Sequence, residues 1–311
     1  MVALVETMAY AGEVPWHGLG ERVADNLSPQ EMLVAAGLDW EVALAPTFAE
    51  LNGEMVEMQR KALYRKSDYV VFDTVGEGWN PCQNWQAADL FSEYVETGGM
   101  KMHTAGSLNG GRNVWFLAKV DNSFEVFKGD RIDAFFLFSS PHSYGHSINV
   151  RFTPIRVVCN NTLTLSLGTK SVNEVKLSHG KAFNPEEVKK TLAIATDKLG
   201  QYEEMAVFLG SKRYNDDSLT EYMQATFPVS GKAPKKEVSK NAKLAQENVL
   251  TQPGAEFAQG SWWQAYNSVT HMVDHQIGRT ADNRMQSAWF GTGATLKSNA
   301  LKRALEFAEA S

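Results

Sequence analysis

From Trp40 to about residue 180 the chain repeats one pattern: an apolar, β-branched run, then a link too short to hold a helix. Asn52-Gly53, Asn109-Gly110-Gly111 and Lys128-Gly129-Asp130 are links of this kind. A parallel strand pair needs a crossover of a dozen or more residues, whereas two or three residues rich in Asn and Gly make a hairpin. The pattern therefore predicts an antiparallel meander. Its candidate strands are 40–48, 54–59, 61–66, 69–75, 100–108, 113–120, 131–140, 147–159, 162–167 and 172–179. One helix interrupts them at 84–99, with Asn84 as its cap and Gly98 at its end.

The remaining chain reads as helix and loop. Residues 1–27 look irregular. Ser28-Pro29 with Glu31 opens a helix that stops at Gly37, because serine caps, proline suits the first turn and an acid faces the helix dipole. Asn184-Pro185-Glu186-Glu187 opens a longer helix to about Leu209, in which Val188, Leu192, Ala195, Leu199, Tyr202, Ala206 and Leu209 fall at helical spacing. Further helices are expected at 218–227, 261–278 and 282–310, the last broken near Gly291–Gly293. The fold class is α+β: an antiparallel β-meander with packed helices, followed by a helical C-terminal region. The domain expectation is a core over 1–227, a basic Pro- and Gly-containing linker or long loop over 228–255, and a helical region over 256–311.

Composition is that of an ordinary globular chain, at 43% hydrophobic and 21% charged. No apolar run reaches the length needed to span a bilayer, so no membrane partner is expected. The N-terminus lacks the basic start of a signal peptide and Cys82 and Cys159 make no disulfide framework, which together predict a cytoplasmic setting. Net charge is −6, yet residues 60–66 and 231–243 are locally basic, and nucleic-acid binding needs only a local stripe.

Three segments stand out together: PWHGLG at 15–20, FTPIRVVCNNTL at 152–163 and SAWFGTGATLKSNALKRAL at 287–305, with HTAGSLNGGRNVWFLAKV at 103–120 between the first two. In these the chain resembles the phage/plasmid-like protein family, a domain-of-unknown-function family of bacteriophage and plasmid genomes. The resemblance covers nearly the whole chain and implies a mobile-element setting inside a bacterial host cell. It brings no assigned activity or catalytic residues. Where related sequences tend to carry Asp after the histidine of SSPHSYGHS, this chain has Ser143.

No catalytic motif emerges. There is no GxSxG, Walker loop or CxxC, and no paired-carboxylate pattern. His271 and His275 share a helix face, but no HExxH is formed. His17, His103, His142 and His146 match no metal-ligand spacing, so no metal and no cofactor is assigned. Cys159 is read as a small buried hydrophobe. The usable signal lies in basic residues interleaved with aromatics. Strand alternation puts Arg60, Ala62, Tyr64 and Lys66 on one face, and Lys61, Leu63 and Arg65 on the other. Cations that track phosphates beside an aromatic that stacks a base are how single-stranded nucleic acid is held, though a solvated sheet face gives the same pattern. Arg112, Lys119, Lys128, Arg131, Arg151 and Arg156 add charge in neighbouring strands. Arg156 alternates away from Ile155, Val157 and Cys159, so it should meet a carboxylate or a phosphate, with Asn160 and Asn161 at a bend beside it.

The expected nucleic-acid-binding set is thus Arg60, Lys61, Tyr64, Arg65, Lys66, Arg112, Arg151, Arg156, Asn160 and Asn161. The function expected is binding of single-stranded DNA in phage or plasmid recombination or annealing, without covalent chemistry, by a homo-oligomer that covers its strand edges. The alternatives are an accessory protein that binds a host or phage protein or a signal molecule, to which the Trp-rich SWWQAY at 261–266 lends itself, and a metal-dependent enzyme acting on nucleic acid or nucleotides.

Overall fold

A computed structural model describes residues 5–15, 17–158, 161–162, 174–229 and 238–311. It contains two antiparallel sheets and a helical C-terminal layer. The chain begins with β1 (Val5–Tyr10) and β2 (Glu21–Arg22), then α1 (Pro29–Ala35). Next come β3 (Val42–Leu51), β4 (Glu54–Arg65) and β5 (Val71–Gly76), which form a three-stranded sheet of their own. After α2 (Asn84–Glu96) the meander continues through β6 (Met100–Leu108), β7 (Asn113–Phe127), β8 (Asp130–Pro141), β9 (Ile148–Arg156), β10 (Asn161–Thr162) and β11 (Glu174–Leu177). The main sheet runs β10-β9-β8-β7-β6-β1-β2, with β11 pairing the remainder of the outer edge of β9. Among the described residues only β1 and β2 pair in parallel.

The helices that follow are α3 (Pro185–Ser211), α4 (Asp216–Thr226), α5 (Lys240–Thr251), α6 (Trp262–His271), α7 (Ala281–Phe290) and α8 (Thr292–Glu309). Their starts match the expected caps. Ser28 and Glu31 close a capping box on α1, and the Asn184 side chain accepts from the Glu186 amide ahead of α3.

Both faces of the main sheet are covered. Alternation sends Val114, Phe116, Ala118, Ile132, Phe136, Phe138, Val150 and Phe152 into the large core, which includes Phe91 of α2, Tyr202 and Leu209 of α3 and Trp263 of α6. Trp115, Leu117, Phe135, Leu137 and Ile155 face the other way, into a smaller cluster closed by Met285, Ala288 and Trp289 of α7. Contact at that second face is close. A Cβ on Gly106 would lie 2.5 Å from the Thr7 carbonyl and 2.4 Å from the Trp115 indole. Gly106→Ala is therefore expected to cost about 1–3 kcal/mol by overpacking, measured as a lower urea midpoint at unchanged slope.

Three expectations need correction. Residues 1–27 contain β1, which pairs with β6 over Val5–Tyr10 and extends the main sheet. The meander is split between two sheets, and Glu54–Arg65 form one long strand instead of two. In the stretch read as linker, Lys240–Thr251 form α5. Its Ala242, Ala245 and Val249 recur at helical spacing and are buried, while its lysines face solvent. Residues 230–237 of that stretch lie outside the described residues.

The far half of the β3–β4 hairpin forms an arm. Phe48–Leu51 pair with Glu54–Glu57, beyond the reach of β5, which pairs only with Arg60–Tyr64. Phe48, Leu51, Met55, Val56 and Met58 are exposed there. Glu50, Glu54 and Glu57 are the charges of the arm, and no Lys or Arg lies between Thr47 and Gln59.

Candidate nucleic-acid interface

The cations of β4 are arranged differently from the sequence expectation. Lys61 pairs with Glu57 at 2.9 Å, and Lys66 with Glu41 at 2.7 Å. Arg65 donates to Glu6 at 2.9 Å and to Asp68 at 2.6 Å, with its guanidinium 5.2 Å from the Trp40 ring centroid. Hydrogen bonds to Asp68, and then to Glu6, push the Arg65 pKa up. The carboxylates that cancel Arg65 and Lys66 come from β1, from the residue before β3 and from the β4–β5 turn, so alternation within β4 could not show them, whereas Glu57 stands on β4 itself, on the face of Lys61. As phosphate contacts, Lys61, Arg65 and Lys66 are corrected to ion-paired residues.

Arg60 differs. It donates to the Thr74 hydroxyl at 3.2 Å and to the Thr74 carbonyl, and its guanidinium lies 4.6 Å over the Tyr144 ring. It makes no carboxylate ion pair among the described residues. Tyr64, on the same face of β4, stacks with Tyr69 at a 17° interplanar angle. Tyr69 and Tyr144 are 77% and 59% exposed. Tyr69, expected to open the strand at 69–75, instead precedes β5 with a left-handed backbone, and Tyr144 lies in the loop after β8. Exposed Arg112 donates from Nε to the Phe72 carbonyl of β5 at 2.8 Å and from Nη1 to the Asn109 carbonyl. Those bonds hold the guanidinium without cancelling its charge.

The remaining expected residues are placed elsewhere. Arg151 donates to the Trp289 carbonyl and lies 5.8 Å from the Phe290 ring, at the end of α7. Arg156 is 1% exposed, which corrects the expectation of a surface contact. Its Nε donates to Asp130 Oδ1 at 2.5 Å, and its Nη2 to Asp130 Oδ2 and to the Gly254 carbonyl, both at 2.9 Å. Trp263 Nε1 donates to the same carboxylate at 2.9 Å. The partner sought for Arg156 is thus a buried aspartate. Asn161, expected at a bend, is instead the first residue of β10 and pairs with Arg156 in backbone register. Asn160 and Cys159 lie outside the described residues.

Burial lowers the pKa of several rings, most strongly at His17 and His142. His17 lies 6.1 Å from the Trp289 ring, and burial followed by the neighbouring His103 brings its pKa to about 3. Burial, then Lys119, lowers His103 to about 4. His142 stacks on Phe72 and its Nε2 lies 3.4 Å from Asn84 Oδ1; burial, then His179, brings it to about 3. His271 and His275 do face one another, with centroids 4.6 Å apart, and burial then His275 lowers His271 to about 4. Among the described residues no three His, Cys, Asp or Glu side chains are grouped so as to hold a metal ion. Cys82 is buried with its thiol pushed up to about 12, which suits packing and disfavours a thiolate nucleophile. No helix among the described residues is long and apolar enough to cross a membrane.

The segments that stood out in the sequence meet at the second face of the main sheet. His17 of PWHGLG touches Trp289 of SAWFGTG, and Trp289 lies 6.3 Å from Trp115 of the NVWF strand. Arg151, next to the FTPIR segment, closes the same edge against the Trp289 carbonyl. Comparison with known proteins agrees on one point. No curated protein and no solved structure matches the chain. The model of a family described as a domain of unknown function, DUF932, matches residues 71–289. That span takes in β5 to α7, all but the N-terminal edge of this face and the last helix, and since it exceeds half of the chain, the protein belongs to the DUF932 family.

Proposed function

We propose that the chain binds single-stranded nucleic acid without covalent chemistry, in the DNA metabolism of a bacteriophage or plasmid inside a bacterial cell. The observation that carries this reading is the open face of the three-stranded sheet, where uncancelled cations meet exposed tyrosines. Arg60 sits over Tyr144, and Tyr64 stacks with Tyr69. Four residues of strand separate Arg60 from Tyr64, about 13 Å at the usual rise per residue. Bases stack on exposed rings regardless of sequence, and Arg60 and Arg112 offer guanidinium groups to the phosphates between them. The likeness to phage/plasmid-like proteins supports the setting. The acidic arm lies outside this surface, since its glutamates repel a phosphate backbone.

A labelled oligonucleotide titrated at several salt concentrations tests the reading. Wild-type affinity should fall steeply with salt. Tyr69→Ala should weaken binding by about 1–3 kcal/mol, the value of one stacked base. Arg60→Ala should lower the salt slope by about 0.7, the value of one phosphate contact on a single strand. A folded sample that binds no oligonucleotide at low salt rules the reading out.

A further inference from the structure

We propose that a phosphate-type oxyanion binds on the second face of the main sheet, held by Lys101 of β6, Lys119 of β7 and Arg131 of β8. Lys101 and Lys119 are register partners in the β6–β7 pair, so their side chains leave the same face directly opposite one another. Like charges at directly opposite positions destabilise a sheet, and nothing in the β6–β7 pairing relieves this one. Lys101 is exposed and makes no ion pair among the described residues. On the next strand, alternation places Arg131 and Asp133 on the face of Phe135, which is the partner of Lys119. Asp133 receives both Lys119 and the Arg131 Nε, the latter at 2.8 Å. Lys119 and Arg131 thus share Asp133 while Lys101 has no carboxylate partner among the described residues, so across three adjacent strands three cations outnumber two carboxylates, Asp133 and Glu125, the register partner of Arg131. Those strands span about 10 Å at the usual interstrand spacing.

Local backbone geometry points to the same place. The β6–β7 register shifts between Met102 and Thr104, so His103 is the extra residue of a bulge, a device that re-aims a side chain. Its ring packs edge-on to Phe135 at 5.0 Å, and its Nδ1 is buried without a hydrogen-bond partner. A neutral imidazole with an unused ring nitrogen beside surplus positive charge suits an anion with several oxygens. A phosphoryl group has three that can accept from separate donors. Its source can be free phosphate or the backbone of a nucleic acid. The site is separate from the tyrosine-bearing sheet, and it does not depend on single-strand binding there.

Thermal unfolding of the full chain with inorganic phosphate or pyrophosphate tests the site, with sodium chloride at matched ionic strength as the reference. Phosphate should raise the unfolding midpoint in a dose-dependent way that chloride does not reproduce. Lys101→Glu converts the opposed pair from repulsive to attractive. It should raise the midpoint without phosphate and abolish the response to phosphate. Lys101→Ala should weaken phosphate binding by roughly tenfold or more, as loss of a charge-assisted hydrogen bond predicts. Equal responses to phosphate and chloride, or a phosphate response retained in Lys101→Glu, overturn the proposal. Tyr69→Ala should leave the phosphate response intact, which separates this site from the oligonucleotide reading. Oligonucleotide affinity of Lys101→Ala then identifies the source: a parallel loss means a nucleic-acid backbone, and an unchanged value means free phosphate.

Discussion

Between pH 7 and pH 4 the protein is expected to lose its folded state, because it buries several imidazoles that cannot take up a proton where they are. His17 and His142 have folded-state pKa values of about 3, against 6.5 for an unperturbed ring. Between those values the unfolded chain binds a proton on each ring and the folded chain does not. Stability therefore falls as pH falls, beginning near 6.5 and continuing toward 3. Each fully mismatched ring contributes a slope of about 1.4 kcal/mol per pH unit. At pH 4 that amounts to roughly 3 kcal/mol for each of the two rings, so the pair alone removes about as much as a marginally stable domain has. His103 and His271, both lowered to about 4, act in the same direction. The environments explain the sign. His142 lies flat against Phe72 with Trp40 at its edge, and the carbonyl of Asn84 stands near its Nε2. Urea unfolding followed at half-unit pH steps measures the slope, and His142→Gln should flatten it by about one proton. A midpoint that stays level from pH 7 to 4.5 would show that these rings protonate in place.

The sequence located elements better than partners. Strand β6 begins and ends where its pattern does, and the Asn184-Pro185 start of α3 is correct to the residue. Such features are set by neighbours a few positions apart, by alternation or by a cap. The fate of a charge is set across strands. Asp130 is the first residue of β8, and only the β8–β9 register, with Ile132 opposite Arg156, brings it to the guanidinium. The same holds for Glu6 and Arg65, which belong to different sheets. Helix α5 was hidden by its composition, since lysine, glutamine and asparagine on the outer face masked a short buried stripe of alanine and valine. In the candidate interface, Arg60, Tyr64 and Arg112 were legible as surface residues. Tyr69 and Tyr144 were not, because the contacts that bring their rings to Tyr64 and Arg60 are made by loops outside β4.

Asp130→Ala is expected to be the most damaging single substitution argued here at neutral pH. It removes the carboxylate that faces a guanidinium 1% exposed, and it also strips Trp263 Nε1 of its acceptor. A buried charge left unpaired costs about 3–5 kcal/mol. The Gly254 carbonyl stays with Arg156, but a neutral oxygen at 2.9 Å does not replace an anion. Arg156→Ala should be comparably severe, since it strands the aspartate in the same enclosure beneath α6. The pair itself is another matter. Taking both ions out of water costs much of what their attraction returns, so a double change to apolar residues of similar volume can be nearly neutral. Asp130→Leu with Arg156→Met should therefore recover most of the loss seen in either single variant, by urea midpoint and by thermal unfolding. The double variant also separates structure from recognition. If Arg156 serves only the joint between β9, the start of β8 and α6, the double variant binds oligonucleotide as the wild type does. A refolded double variant that had lost oligonucleotide binding would return Arg156 to the nucleic-acid surface.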